Sequence, residues 1–247
     1  MRRGRVYIGT SGWVYPHWRG LFYPANLPQR LWLQYYAQHF DCTEINGSFY
    51  RLPSAAAVLQ WQNTVGKEFR FCPKISRFIT HAKKLNDPEQ GVPRFFEVFD
   101  LMASRTGPVL LQLPASVPFQ AEKVRHFFEY LTLYHKNFRF SLEARHPSWI
   151  EQSALALLKT YRIGWVIADS GSRFASADAV TARHVYARFH GPDGTYASGY
   201  SKKYLADFAT RCREWRNAGR TVWVFFNNDL NGFAVRDALA LKALMAE

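Results

Sequence analysis

Residues 139–169 read RFSLEARHPSWIEQSALALLKTYRIGWVIAD, a strand, a helix and a second strand in one stretch. Residues 139–144 form a short β-prone run. Residues 149–161 set Ile150, Ala154, Leu157 and Leu158 at helical spacing, and residues 164–169 return to a nearly unbroken apolar run. An apolar strand without polar alternation is one buried on both faces, which is the situation of a parallel strand covered by helices. Two such strands joined through a helix pair in parallel by a right-handed crossover.

The same alternation extends outward in both directions. Strand-length runs lie at residues 5–10, 42–46, 69–75, 108–113, 184–190 and 221–227, and helical periodicity at 28–40, 54–65, 93–105, 121–135, 201–218 and 233–245. Eight strands in a chain of 247 residues predict an α/β fold, a single (β/α)8 TIM-type barrel occupying residues 1–247 as one domain. Residues 171–183, between the sixth and seventh strands, are rich in Ser, Ala and Asp and predict a short or irregular connection in place of a helix. An open doubly wound sheet is the alternative, but Gly9-Thr10-Ser11-Gly12-Trp13 after the first strand has neither the GxGxxG spacing nor a Walker lysine.

Composition narrows the function classes. Apolar residues make up 48% and aromatics 17%, enough for a substantial core, while no apolar run reaches the roughly 18 residues that cross a bilayer. A soluble chain with no membrane role is expected. Residues 1–5 are basic but lead into Val6-Tyr7-Ile8-Gly9-Thr10, a β-like run and not a signal-peptide core. Cys42, Cys72 and Cys212 are odd in number, widely spaced and outside any CxxC pattern, so they are expected to be buried thiols in a reducing cytoplasm. Thirty-two Lys and Arg against nineteen Asp and Glu give +13, which favours an anionic small molecule or a nucleic acid as partner. A solvated basic surface is the plainer alternative, because the charges are dispersed. None of these features specifies the oligomeric state.

Barrel enzymes carry their reacting groups at the carboxyl ends of the strands. Here those ends bear Thr10 and Ser11, Glu44 and Asn46, Lys74, Gln112, Glu143 and Arg145, Asp169, Arg188 and His190, then Asn227, Asn228 and Asp229. Spacings of two, as in Glu143 with Arg145, put both side chains on one face of a strand. Glu44, Lys74, Glu143, Asp169 and His190 are the expected catalytic set. Glu143 beside Arg145 suits a base, Glu44 near Phe49 suits an acid raised by burial, and Lys74 suits charge pairing, an anion ligand or, if desolvated, a nucleophile. Thr10, Ser11, Trp13, Asn46, Gln112, Arg145, Arg188, Gly191, Asn227, Asn228 and Asp229 are the expected substrate contacts. Gly191 and Asn228 lie in the corner after strands seven and eight where β/α barrels commonly hold phosphate. A salt-bridged plug that merely orients the loops is the alternative for every member of the set. Loop one carries Trp13, Tyr15, His17, Trp18, Phe22 and Tyr23, expected to form a satellite core with Trp13 facing ligand.

These motifs also carry a resemblance. Gly9-Thr10-Ser11-Gly12-Trp13, Glu44-Ile45-Asn46 with Phe49-Tyr50-Arg51, Thr80-His81, Gln112-Leu113-Pro114, Arg145-His146-Pro147-Ser148-Trp149, His190-Gly191 and Phe226-Asn227-Asn228-Asp229 resemble, in order, the YecE-like family, domain of unknown function 72. The resemblance covers the chain from about Val6 to Leu244 and implies a β/α barrel without an assigned reaction. Gly47, Ala144 and Pro73 depart from the pattern, and none of them removes an ionisable group. Residues and resemblance together lead to the expectation of a hydrolase-like acid–base enzyme that uses no organic cofactor and no metal on an anionic, phosphorylated or nucleotide-like substrate. The alternatives are a nucleic-acid-binding protein, and a divalent-metal phosphoesterase built on Glu143, Asp169 and His190.

Overall fold

Two adjacent strands are buried at every position, VLLQL at Val109–Leu113 and FSLEA at Phe140–Ala144, as strands covered on both faces must be. In the computed structural model, which describes residues 4–171 and 173–246, eight strands follow the order of the sequence. They are β1 (Val6–Thr10), β2 (Cys42–Ile45), β3 (Arg70–Pro73), β4 (Val109–Leu113), β5 (Phe140–Ala144), β6 (Gly164–Asp169), β7 (His184–Phe189) and β8 (Thr221–Phe226). All pair in parallel, in a six-stranded sheet ordered β1-β8-β7-β6-β5-β4 and a two-stranded sheet of β2 and β3. Single parallel bridges join the two sheets, Ser11 to Glu44 on one side, and Phe71 to Thr106 and Lys74 to Leu110 on the other. Through them the order returns from β4 by way of β3 and β2 to β1.

Alternation along the strands separates two cores. Tyr7, Cys42, Cys72, Leu110, Tyr186 and Trp223 fill the interior, with Tyr7 and Trp223 stacked at 4.1 Å. Their neighbours Ile8, Phe71, Leu111, Val185 and Val224 pack outward into the helical layer. All three cysteines are free and buried. The interior plug is mostly apolar, with Ser141 and His184 hydrogen-bonded to each other at 2.9 Å, and the polar residues that follow it along the strands lie against it.

The helices are α1 (Trp32–His39), α2 (Gly47–Tyr50), α3 (Ala55–Thr64), α4 (Val92–Phe99), α5 (Ala121–Tyr134), α6 (Gln152–Thr160), α7 (Lys202–Asn217) and α8 (Phe233–Ala246). Ser54 and Ser201 cap α3 and α7 by accepting from the N–H groups of Ala57 and Tyr204. Three expected helices are shorter than their periodicity, because 3-10 turns at Gln29–Leu31, Asp100–Arg105 and Pro147–Ile150 take one end of each. The short α2 is an addition to what the sequence predicted. Among the described residues of the 171–183 connection there is no helix, as its composition predicted. That segment is instead pinned by Thr181, whose hydroxyl accepts from Trp165 N and donates to Ile163 O, both at 2.6 Å. Among the described residues no helix is long and apolar enough to cross a membrane.

Candidate functional site

The residues two steps beyond the interior plug form the site. Glu44 follows Cys42, Lys74 follows Cys72, Gln112 follows Leu110, Glu143 follows Ser141, Arg188 follows Tyr186, and Asn227 follows Phe225. The strand period of two therefore turns all six inward from strands far apart in sequence.

Arg188 stands at the centre, with 2% of its side chain exposed. Its Nε and Nη2 donate to the two oxygens of Glu44 at 3.0 and 2.8 Å, and its Nη1 donates to Glu143 Oε2 at 2.5 Å. Glu44 also accepts from Ser11 Oγ at 2.8 Å and from Tyr186 Oη at 2.7 Å. Two donors on each oxygen occupy all four lone-pair directions of the carboxylate. Glu44 is thus an anchor for Arg188, with no free acceptor for a substrate, in place of the acid expected from its burial. Burial alone works against both charges of the second pair, but each partner overrides it. Glu143 and Glu44 keep the guanidinium charged, while Arg188, then His190 and Arg145, hold the Glu143 carboxyl well below the usual carboxylate range.

His190 accepts at Nδ1 from the Asn227 amide at 3.1 Å, which leaves the ring proton on Nε2. That Nε2 is buried without a hydrogen-bond partner and lies 3.7 Å from Glu143 Oε2, beyond hydrogen-bond reach. Burial pushes the His190 pKa down, against the pull of Glu143, so the ring is neutral. Arg145 lies with its guanidinium 4.3 Å over the Phe174 ring and its Nε 3.5 Å from Glu143 Oε1. This Nε is likewise buried and unpartnered.

Lys74 differs from the two arginines in having no carboxylate within ion-pair distance among the described residues. Its Nζ donates to Gln112 Oε1 at 2.8 Å and lies 4.0 Å above the Phe49 ring. Burial, reinforced by Arg188, pushes its pKa down to about 7. The strand end that carries it is fixed by Ser48, whose hydroxyl lies 2.6 Å from Lys74 O and 2.8 Å from Ile45 O. Lys74, Arg145 and Arg188 line a cavity of about 440 Å³ together with Gln112, His81 and Asn227. Asn46, Phe49, Tyr50 and Tyr196 complete the wall, which contains no Asp or Glu. Burial and the charge of Lys74 lower His81 to a pKa of about 4, so it too is neutral.

The sequence matches the family described as protein of unknown function DUF72 over residues 7–247. The chain belongs to this family. UPF0759 protein YecE of Escherichia coli O157:H7 and of Escherichia coli strain K12 are each 32% identical to it over 171 residues, 67% of this chain. The match spans 59% of the length of those relatives. The crystal structure of a DUF72 family protein from Thermotoga maritima, 27% identical, superposes with a TM-score of 0.86, covering 98% of this chain and all of that one. A DUF72 family protein from Enterococcus faecalis, 19% identical, covers 98% of this chain and 96% of its own with a TM-score of 0.82, a likeness of fold.

Not every residue expected in the mouth of this DUF72 protein points there. Asp169 is the clearest correction. It is one residue beyond Ala168, which packs on the interior plug, so it turns outward, where Tyr204 of α7 donates to it at 2.5 Å and Gly171 N at 3.1 Å. The metal set of Glu143, Asp169 and His190 therefore loses its middle member. Among the described residues no three of His, Cys, Asp and Glu gather as ligands.

The expected phosphate corner is also closed by its own contacts. Gly191 N donates to Tyr200 Oη, and buried Asn228 donates to Ser198 O and Asp237 Oδ2. Thr10 faces α1, bonded to Tyr36 Oη, and Asp229 accepts from His17 through its carbonyl oxygen. Trp18 and Tyr23 of loop one join the outer core instead of forming a separate satellite, with Tyr23 stacked at 4.7 Å on Trp32 of α1. Trp13 lies against Trp61, facing a neighbouring apolar groove and not the cationic cavity. Tyr196 was missed. Its φ of +67° is uncommon for a bulky residue, and its ring meets His190 edge-on at 5.3 Å, but nothing in Gly194-Thr195-Tyr196 announces either feature.

Proposed function

We propose that this protein is an enzyme that binds a small anion in the cationic cavity and transforms it by acid–base chemistry. The observation that carries this reading is Lys74: a buried amine without a carboxylate partner, facing a cavity whose wall holds two arginines and no acid. Glu44 and Glu143 answer the charge of Arg188 and Arg145 but leave that of Lys74 without an ion-pair partner, and a buried charge in that position is costly unless an anionic substrate offsets it. Arg145, held by Glu143 at ion-pair distance but making no hydrogen bond through Nε, binds and orients the anion. Lys74, poised near neutrality, takes up or gives a proton at the adjoining atom, since proton transfer is most effective when the pKa lies close to the working pH. Neutral His190 offers a hydrogen bond from Nε2–H to negative charge developing on the substrate without itself changing protonation state, and the ionised Glu143 beside it polarises the ring. Arg188 and Glu44 hold this machinery in place. Neither an organic cofactor nor a metal has a role in the scheme.

A panel of phosphorylated and carboxylated small molecules tests it. Turnover of one member should fall by about a hundredfold or more in Lys74→Met and in His190→Gln, with near-ultraviolet dichroism showing that both variants fold. Full activity in either variant on an identified substrate removes the assignment. A nucleic-acid partner has only the net charge of +13 in its favour.

A further inference from the structure

A second cavity adjoins the first, and its lining is more apolar. About 820 Å³ in volume, it is floored by Trp13, Ile45, Ala57, Trp61 and Val98, with Trp13 and Trp61 edge to face at 5.3 Å. Ligand sites are typically apolar clefts of this size with a few placed polar groups. Helix α3 supplies Ala57 and Trp61, α4 supplies Val98, and loop one supplies Trp13, so the groove lies outside the strand ring, beside the mouth.

One residue borders both spaces. Asn46, directly after β2, lines the cationic cavity and the apolar groove alike. Its amide is poorly satisfied: Nδ2 lies 3.5 Å from Ser11 O, and Oδ1 is buried with no donor at all. Buried polar atoms in native proteins are nearly always paired, and an orphan at the junction of two cavities is placed to be paired by a ligand.

From this juxtaposition we infer that the substrate has two parts: an anionic group held by Lys74 and Arg145, and an aromatic or heteroaromatic ring laid in the Trp13–Trp61 groove. An N–H or O–H between the two donates to Asn46 Oδ1. The inference rests on the anion reading above and names the class of molecule it leaves open. Arg51, Arg94 and Glu97 also line the groove, but around Trp13 and Trp61 a ring gains by leaving water and by edge and face contacts with the two indoles. It also explains why loop one, unlike a plain packing layer, leaves Trp13 in the wall of an open space.

Calorimetry on the full chain with methylphosphonate and (1-naphthyl)methylphosphonate tests it, because the two probes share a head group and differ only in the ring. The naphthyl compound should bind at least about tenfold more tightly, and Ala57→Trp, which fills the groove, should reduce that ratio to about threefold or less. Equal affinity of the two probes overturns the two-part substrate while leaving the anion site standing. An unchanged ratio in folded Ala57→Trp overturns its placement in this groove. Failure of both probes to bind overturns the anion site itself, and this inference with it.

Discussion

Glu44 and Lys74 are both buried charges in one barrel mouth, yet their surroundings assign them different work. Glu44 receives four hydrogen bonds, from Ser11, Tyr186 and twice from Arg188, and so is consumed by the structure. Removing one partner of such a buried pair leaves the other uncompensated. Glu44→Gln should therefore lower stability by about 3–5 kcal/mol in denaturant unfolding, and a loss under about 1 kcal/mol would show that Arg188 does not depend on it. Lys74 has only Gln112 and the Phe49 ring, and its pKa of about 7 makes its charge depend on pH within the working range. Being lowered and not raised, this base is charged below about 7 and loses its charge above it. On the proposed anion reading, affinity should be full on the acid side and decline as pH rises through 7. With sulfate, whose own charge is constant there, affinity should fall from pH 6 to pH 8.5 in the wild type and stay nearly flat in Lys74→Arg, because a guanidinium remains protonated. A flat wild-type profile would mean that Lys74 does not face the anion.

At the level of the strand, a two-residue period decides which polar groups meet. Glu143 with Arg145 and Arg188 with His190 enter the mouth together, as their spacing predicts. Asp169 ends a strand, which alone predicts it in the same set, but the inward positions of β6 are Val166 and Ala168. Counting from the apolar plug, and not from the strand end, would have placed it outside. Asp169→Asn should accordingly leave sulfate affinity within about twofold of wild type and cost no more than about 1 kcal/mol, through the lost Tyr204 contact. A large loss of affinity would return Asp169 to the site. Local signals were legible where periodicity is long and unbroken, as in α5 and α7, and where Ser54 and Ser201 announce helix starts. They were not legible where tertiary contacts decide. Helix α2 owes its place to Ser48 bridging two strand ends, and the closed Gly191–Asn228 corner to Tyr200 and Asp237, residues distant in sequence or on another element.

For the whole molecule, the parallel barrel followed from the eightfold alternation, which local errors at helix ends do not disturb. Polar residues from strands far apart in sequence, Glu44, Lys74, Gln112, Glu143, Arg188 and Asn227, meet because a ring of parallel strands brings their carboxyl ends together whatever lies between them. What no sequence pattern held was the partition of charge. Both carboxylates of the ring are turned onto Arg188, and the cavity beside them is left with cations at its wall. The long-range field of a +13 chain adds to that local charge in drawing anions toward the protein. The most direct test is an anomalous difference map from a crystal grown with selenate. A selenate should lie in the mouth, within hydrogen-bond distance of Lys74 Nζ and the Arg145 guanidinium. A mouth free of anomalous density while selenate occupies other surfaces would contradict the anion site on which the function rests.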